Sequence, residues 1–134
     1  MSENPYAAAL NQIEILRQLD DRSRAEIAGR CEWHHVGRGG SIIFHLDRSD
    51  EAYFLVQGVV RAVSYSLEGK EVAFRDIGPG EIFGEYAAID GSERSANVYA
   101  VTEAFMGSVS GETFREILSA PKAIIERATE AIRK

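Results

Sequence analysis

The stretch of this chain with the most chemical content is Gly80-Glu-Ile-Phe-Gly-Glu-Tyr-Ala-Ala-Ile-Asp-Gly-Ser-Glu-Arg-Ser-Ala-Asn-Val98. An apolar strand end, Ile82-Phe83, runs into Gly84-Glu85. A short alanine-rich piece with helix propensity follows, then a polar turn, then Arg94-Ser95 at the start of another strand. These residue types suit a small anion. Gly84 lets a ligand approach the backbone closely, the N–H groups that open a short helix lack intrahelical partners, and the positive end of the helix dipole favours negative charge. Arg94 can close such a site with paired hydrogen bonds to phosphate oxygens, and Ser95 adds a hydroxyl donor. Glu85 would repel a phosphate directly but accepts hydrogen bonds from sugar hydroxyls, so a phosphate joined to a ribose is the ligand this set fits. A plainer reading uses the same residues: Gly84 serves a tight turn, and Glu85 and Arg94 form an ion pair tying the insertion to the rest of the fold.

The elements that must hold these residues follow from the rest of the sequence. The chain has 134 residues, 45% of them hydrophobic, with 15 basic and 21 acidic side chains and a net charge of −6. That length and composition suit one domain over residues 1–134 whose core needs neither disulfides nor a structural metal. Ala9, Leu10, Ile13, Leu16 and Leu19 predict one amphipathic helix from Tyr6 to Leu19. Asp20-Asp21 can cap a second that runs to about Arg30. Between residues 33 and 109 the pattern changes to short β-rich runs: Ser41 to Leu46, Ala52 to Val56, Val59 to Tyr65, Val72 to Phe74, Ala96 to Val101 and Phe105 to Val109. Val72 and Phe74 face one way with Glu71 and Arg75 opposite. The glycine- and aspartate-rich breaks between the runs are spaced as a compact antiparallel sandwich or barrel requires. Ser110 can cap a helix containing Phe114, Ile117 and Leu118. Pro121 can open another, with Ile125, Ala128 and Ile132 as its apolar stripe.

The segment Phe83-Gly84-Glu85 … Arg94-Ser95-Ala96-Asn97-Val98 resembles the phosphate-binding cassette of the cyclic nucleotide-binding domain family. The resemblance extends through Gly39 to Phe44, Tyr53 to Arg61, Gly69-Lys70-Glu71, Ile77 to Glu85 and Phe114, and covers most of residues 10 to 118. It implies a mainly β fold: a double-stranded β-helix (jelly-roll) barrel over residues 33–109 containing the cassette at 83–96. N-terminal helices over 6–31 and C-terminal lid helices over 110–133 would flank it. It also implies cAMP or cGMP as the ligand, with no other cofactor. Carried over, Glu85 accepts from the ribose 2′-hydroxyl, Gly84 exposes its N–H, and Ala87 and Ala88 supply backbone donors. Arg94 pairs with the cyclic phosphate, Ser95 and the Ala96 backbone complete that contact, and Ile124, Ile125 and Ala128 close over the purine. Ser95 after the arginine leans towards cAMP. Two features depart from the pattern: Tyr86 is bulkier than expected after Gly-Glu, and His45 to Asp50 lacks the glycine that usually turns there.

Other function classes fare worse. A cupin-like metal barrel would need convergent histidines, yet the adjacent His34 and His35 point to opposite faces of a strand and only His45 remains. No Gly-x-Ser-x-Gly elbow or His-Glu-x-x-His motif appears, so the expectation is a binder and not an enzyme. Net acidity and scattered basic residues disfavour nucleic acid, and nothing after Pro121 supplies a recognition helix, so no direct DNA binding is expected. Without a secretory leader pattern or a membrane-length apolar run, the expected location is the cytoplasm. A ligand-free structural or dimerisation module of the same fold stays open. Either way the last helix could meet a protein effector or a second copy.

Overall fold

The computed structural model describes residues 6–119. Its first segment departs from the single helix expected there, forming two 3-10 stretches, Ala7–Gln12 and Glu14–Leu16. The spacing explains this: Leu10, Ile13, Leu16 and Leu19 recur at intervals of three, the 3-10 period, and all four are at most 3% exposed. Between the stretches Ile13 takes extended dihedrals, φ −75° and ψ 117°, and the Glu14 N–H donates to the Gly80 carbonyl at 3.0 Å. Burying such a side chain contributes about 1.5–3 kcal/mol, enough to override a weak α-helical preference. Helix α1 (Asp21–Arg30) follows, capped as expected by Asp20, whose carboxylate accepts from the Ser23 N–H at 2.8 Å. That bond holds the Asp20 carboxyl below its ordinary range.

Among the described residues eight strands build two antiparallel four-stranded sheets. They are β1 (Glu32–Val36), β2 (Ser41–Ile43), β3 (Ala52–Gln57), β4 (Val60–Tyr65), β5 (Glu71–Ile77), β6 (Ile82–Phe83), β7 (Ala96–Ala100) and β8 (Ala104–Val109). The orders β1-β8-β3-β6 and β2-β7-β4-β5 pair strands far apart in sequence, the connectivity of a jelly roll. β3 shows why its residues are apolar on both sides. Tyr53 and Leu55 enter the cluster between the sheets with Val60, Phe83, Val98 and Met106. Ala52 and Phe54 face the helices and join Leu10, Ile13, Ile27 and Phe114. Helix α2 (Glu85–Asp90) interrupts the barrel between β6 and β7, and α3 (residues 111–119) follows β8. The Ser110 hydroxyl accepts from the Thr113 N–H at 3.1 Å and caps α3.

Two strand expectations need correction. β2 ends at Ile43 and not at Leu46, because the chain turns out of the sheet there and Leu46 adopts φ +71° where a glycine would be relaxed. In exchange, the Leu46 N–H donates to the Arg94 carbonyl and the Arg94 N–H to the Asp47 carbonyl, both at 2.9 Å. β5 extends over seven residues, well beyond Val72 to Phe74. Val72 and Phe74 turn to solvent, 61% and 68% exposed, whereas Ile77 at the end of the strand is buried.

Candidate functional site

The site grows from the junction of β6 and α2. Gly84 precedes the helix at φ +76°, a left-handed conformation that glycine takes at no steric cost. A Cβ there would lie 2.9 Å from Arg94 Nη1 and 3.0 Å from the Glu51 carbonyl oxygen, so the position has neither the dihedral nor the room for a side chain. Among the described residues no side chain caps the helix, and its first-turn N–H groups have no intrahelical acceptors. At the other end of α2 the Arg115 guanidinium of α3 donates to the Ala88 carbonyl at 2.8 Å, fixing the short helix to the following one.

Arg94 is 4% exposed and lies beneath this junction. Its Nη1 donates to the Gly84 carbonyl at 2.8 Å, its Nη2 to the Glu51 carbonyl at 2.8 Å, and its Nε to the Ser49 hydroxyl at 3.1 Å. The Glu51 carboxylate stands 3.8 Å from Nη2 and balances the charge. A guanidinium has five N–H donors, so three bonds leave two without a partner among the described residues, one on each terminal nitrogen. That is a fork preset for a planar pair of acceptors. The ion pair between Glu85 and Arg94 is absent among the described residues: the Arg94 counter-ion is Glu51, and Glu85 remains half-buried at the wall of a cavity.

This cavity measures about 520 Å³ and is bounded on the cassette side by Phe83, Gly84, Glu85, Ala87, Arg94, Ser95 and Ala96. Residues of β2, β4, β5 and β7, Phe74, Arg75 and Ile77 among them, form the opposite, sheet side. Of the residues singled out in the sequence, Tyr86 borders the mouth with its ring 74% exposed, which accommodates its bulk without disturbing α2. Ala87 is buried against the cavity, whereas Ala88 does not border it and packs among the helices. Ile124, Ile125 and Ala128 lie outside the described residues. Sequence reasoning missed Ser49 and Glu51, which hold Arg94 from 43 to 45 positions away, and missed Arg75 on β5. No local pattern marks the first two. The alternation along β5 put Arg75 opposite Phe74, a signal that could have found it.

The histidines behave as their spacing predicts. His34 reaches the Ser108 hydroxyl at 2.8 Å, while His35 lies with its ring 4.5 Å from Phe105. Among the described residues no group of three or more His, Cys, Asp or Glu is placed to hold a metal ion, and no helix is long and apolar enough to cross a membrane.

A family model described as the cyclic nucleotide-binding domain matches residues 33–120, well over half of the sequence. The chain belongs to that family. As a cyclic nucleotide-binding domain it is similar to the cAMP-dependent protein kinase regulatory subunit of Aspergillus niger, 28% identical over 92% of this chain and 29% of that protein. It is also similar to the cAMP-activated global transcriptional regulator CRP of Haemophilus influenzae, 29% identical over 71% of this chain and 43% of that protein. The domain thus spans less than half the length of these curated relatives. Its fold is shared with the regulatory domain of Toxoplasma gondii PKA solved with cAMP, at TM-score 0.78 and 22% identity over 93% of this chain and 49% of that one. The regulatory subunit of a cAMP-independent protein kinase A from Trypanosoma cruzi, bound to guanosine, superposes at TM-score 0.77 and 18% identity, over 93% and 45% of the two chains. This cyclic nucleotide-binding domain therefore has the jelly-roll architecture implied by its sequence, and its relatives are regulatory proteins.

Proposed function

We propose that the chain is a sensor domain, spanning residues 1–134, that binds a cyclic purine nucleotide, cAMP foremost, in the 520 Å³ cavity and acts in the cytoplasm without catalysing a reaction. The observation that carries this reading is the buried Arg94 fork, held by three protein acceptors with two donors to spare. A buried cation with free donors is costly unless an anion completes it. A cyclic phosphate sits on that fork beside the Gly84 backbone and the α2 N–H groups, with Ser95 and Ala96 closing the contact. The ribose 2′-hydroxyl donates to Glu85, and the purine extends towards the wall formed by β4 and β5. Phe83 backs the junction from the interior cluster, Ala87 borders the ligand, and Ala88 anchors the helix from behind. The lone Cys31, lacking a cysteine to pair with, suits a reducing compartment.

Ligand regulates by the difference in its affinity for two arrangements of the domain. In this proposal residues 121–134 supply the difference: Ile124, Ile125 and Ala128 cap the purine in the bound arrangement. The same segment meets an effector protein or a second copy in the other arrangement, with no direct contact to DNA. The relatives support a regulatory role, since one is a kinase regulatory subunit and another a cAMP-activated regulator.

Isothermal titration with cAMP, with linear AMP and guanosine as controls, tests the reading. Saturable binding of cAMP at micromolar concentration or tighter, with both controls much weaker, is the expected result. Tighter binding of guanosine would mean that the Arg94 fork is not used, and absence of heat and of thermal shift with every ligand would overturn nucleotide binding altogether. Deleting residues 121–134 should weaken cAMP binding, and unchanged affinity would remove the capping role.

A further inference from the structure

One sheet of the barrel has an outer face that no helix covers among the described residues. Ala52, Phe54 and Val109 of β3 and β8 pack beneath the helices, whereas that helical cluster holds no residue of β2, β4, β5 or β7. Along β4 and β7, Val60, Ala62, Val98 and Ala100 turn inward, so alternation puts Arg61, Val63, Tyr65, Asn97 and Tyr99 on the outside. On β5, Phe74 and Asp76 pair with Val63 and Arg61 and share that side. A solvated sheet face is expected to be polar, yet this one carries Val63, Tyr65, Tyr99 and a Phe74 68% exposed. Its polar groups bond to one another. The Arg61 guanidinium donates to Asp76 at 2.6 and 3.0 Å and lies 4.8 Å over the Phe74 ring. Asn97 donates to the Tyr65 hydroxyl at 2.7 Å and accepts from the His45 N–H at 2.6 Å, and the His45 ring stands 4.7 Å from that of Tyr65. Polar groups satisfied within a face lose little when water leaves it, and Tyr, Phe and Arg are the residues that contacts between proteins favour.

We propose that this face is the surface through which two copies of the chain associate. The register argues for a second copy. A two-fold axis lying in the face along the Phe74–Val63–Asn97 row sets Val63 and Phe74 against their own counterparts. The same axis reverses the strands, so Arg61 of each copy, two residues before Val63, comes over Tyr65 of the other, two residues after it. Beyond the bulge in β5 the exposed Glu71 stands opposite Tyr65, and it too meets that guanidinium. Arg61 then lies between Asp76 of its own copy and Glu71 of the other, the local charge match that like copies of a chain with net charge −6 need. Four strands spaced by about 4.8 Å and about six residues long give a face of about 20 Å by 20 Å, at the small end for a specific interface, so the dimer should form on the order of tens of micromolar. The nucleotide cavity lies on the other side of this sheet, so the inference does not rest on the ligand reading.

The test is sedimentation equilibrium of the full chain over about two decades of concentration centred on that range. A monomer–dimer equilibrium is expected. Val63→Glu sets two carboxylates against each other on the axis and should weaken it by about tenfold or more, and Phe74→Glu on the edge strand should act alike. Neither side chain is buried, so circular dichroism and the melting temperature at low concentration should show both variants folded. Ile132→Glu, in the apolar stripe near the end of the chain, should leave the equilibrium unchanged. A parent chain monomeric throughout would overturn the proposal. So would a dimer that survives both folded variants, or one that Ile132→Glu abolishes, because the contact would then lie on another surface.

Discussion

Replacing Arg94 by Ala removes three hydrogen bonds from a charged donor, at 2.8, 2.8 and 3.1 Å, and leaves the Gly84 and Glu51 carbonyls without that partner. Bonds to charged groups contribute about 1.5–3 kcal/mol each, and the guanidinium's own desolvation offsets several kcal/mol of that sum, so the free domain should lose about 2–4 kcal/mol. For 134 residues an unfolding entropy of about 2.1 cal/mol/K per residue turns this into a fall in Tm of about 7–14 °C. The affinity effect is larger. The two free donors would make charge-assisted contacts to the phosphate, and truncating one partner of such a pair costs about 2–5 kcal/mol, about 30-fold to several thousandfold in Kd for cAMP. Calorimetry below the melting temperature of the variant, verified by circular dichroism, separates the two effects. Arg94→Lys keeps the charge but loses the fork, so it should recover only part of the affinity. A folded Arg94→Ala domain that binds cAMP as tightly as the parent would refute the reasoning, because the phosphate would then sit elsewhere.

Gly84→Ala forces a side chain into a left-handed dihedral and against Arg94 Nη1 at 2.9 Å, so it should cost about 1–3 kcal/mol by thermal unfolding and weaken cAMP binding in calorimetry. Leu46→Gly acts in the opposite direction: relief of a φ of +71° on a side chain 60% exposed should outweigh the added chain entropy and raise stability by about 0.5–1 kcal/mol in urea unfolding. Burial pushes the Cys31 thiol up to about 12, so iodoacetamide at pH 8.5 should modify the native chain far more slowly than the unfolded one. The sign for stability follows: the folded state holds this proton more tightly, so the contribution is full below the unfolded value of about 8.5 and declines as pH rises towards 12. A Cys31→Ala variant should show a weaker decline across that window in pH-dependent urea unfolding.

Local chemistry was legible in the sequence wherever a few neighbouring residues determine it. Asp20 and Ser110 cap the helices they were expected to cap, and the Gly84 junction and β6 stand where an apolar pair meets Gly-Glu. The opening helix was misread because periods of 3.0 and 3.6 coincide over so few residues, and the buried threefold stripe favoured the tighter turn. The partners of Arg94 were invisible for another reason. Ser49 and Glu51 reach it only after β3 and β7 have been placed in opposite sheets, and no spacing in the chain encodes that. β5 shows a third limit: its alternation was correct, but alternation does not say which side faces inward.

The placement of β5 has a further consequence. Among the described residues it is the last strand of its sheet, paired only with β4, and six of its seven residues are exposed. Such a strand offers unpaired backbone groups to another chain, and the outward Val72 and Phe74 would add apolar contact to any strand that docked there. Glu71, Arg75 and Asp76 place charges along the same strand and oppose edge-to-edge assembly. Replacing those charges should therefore carry an aggregation risk.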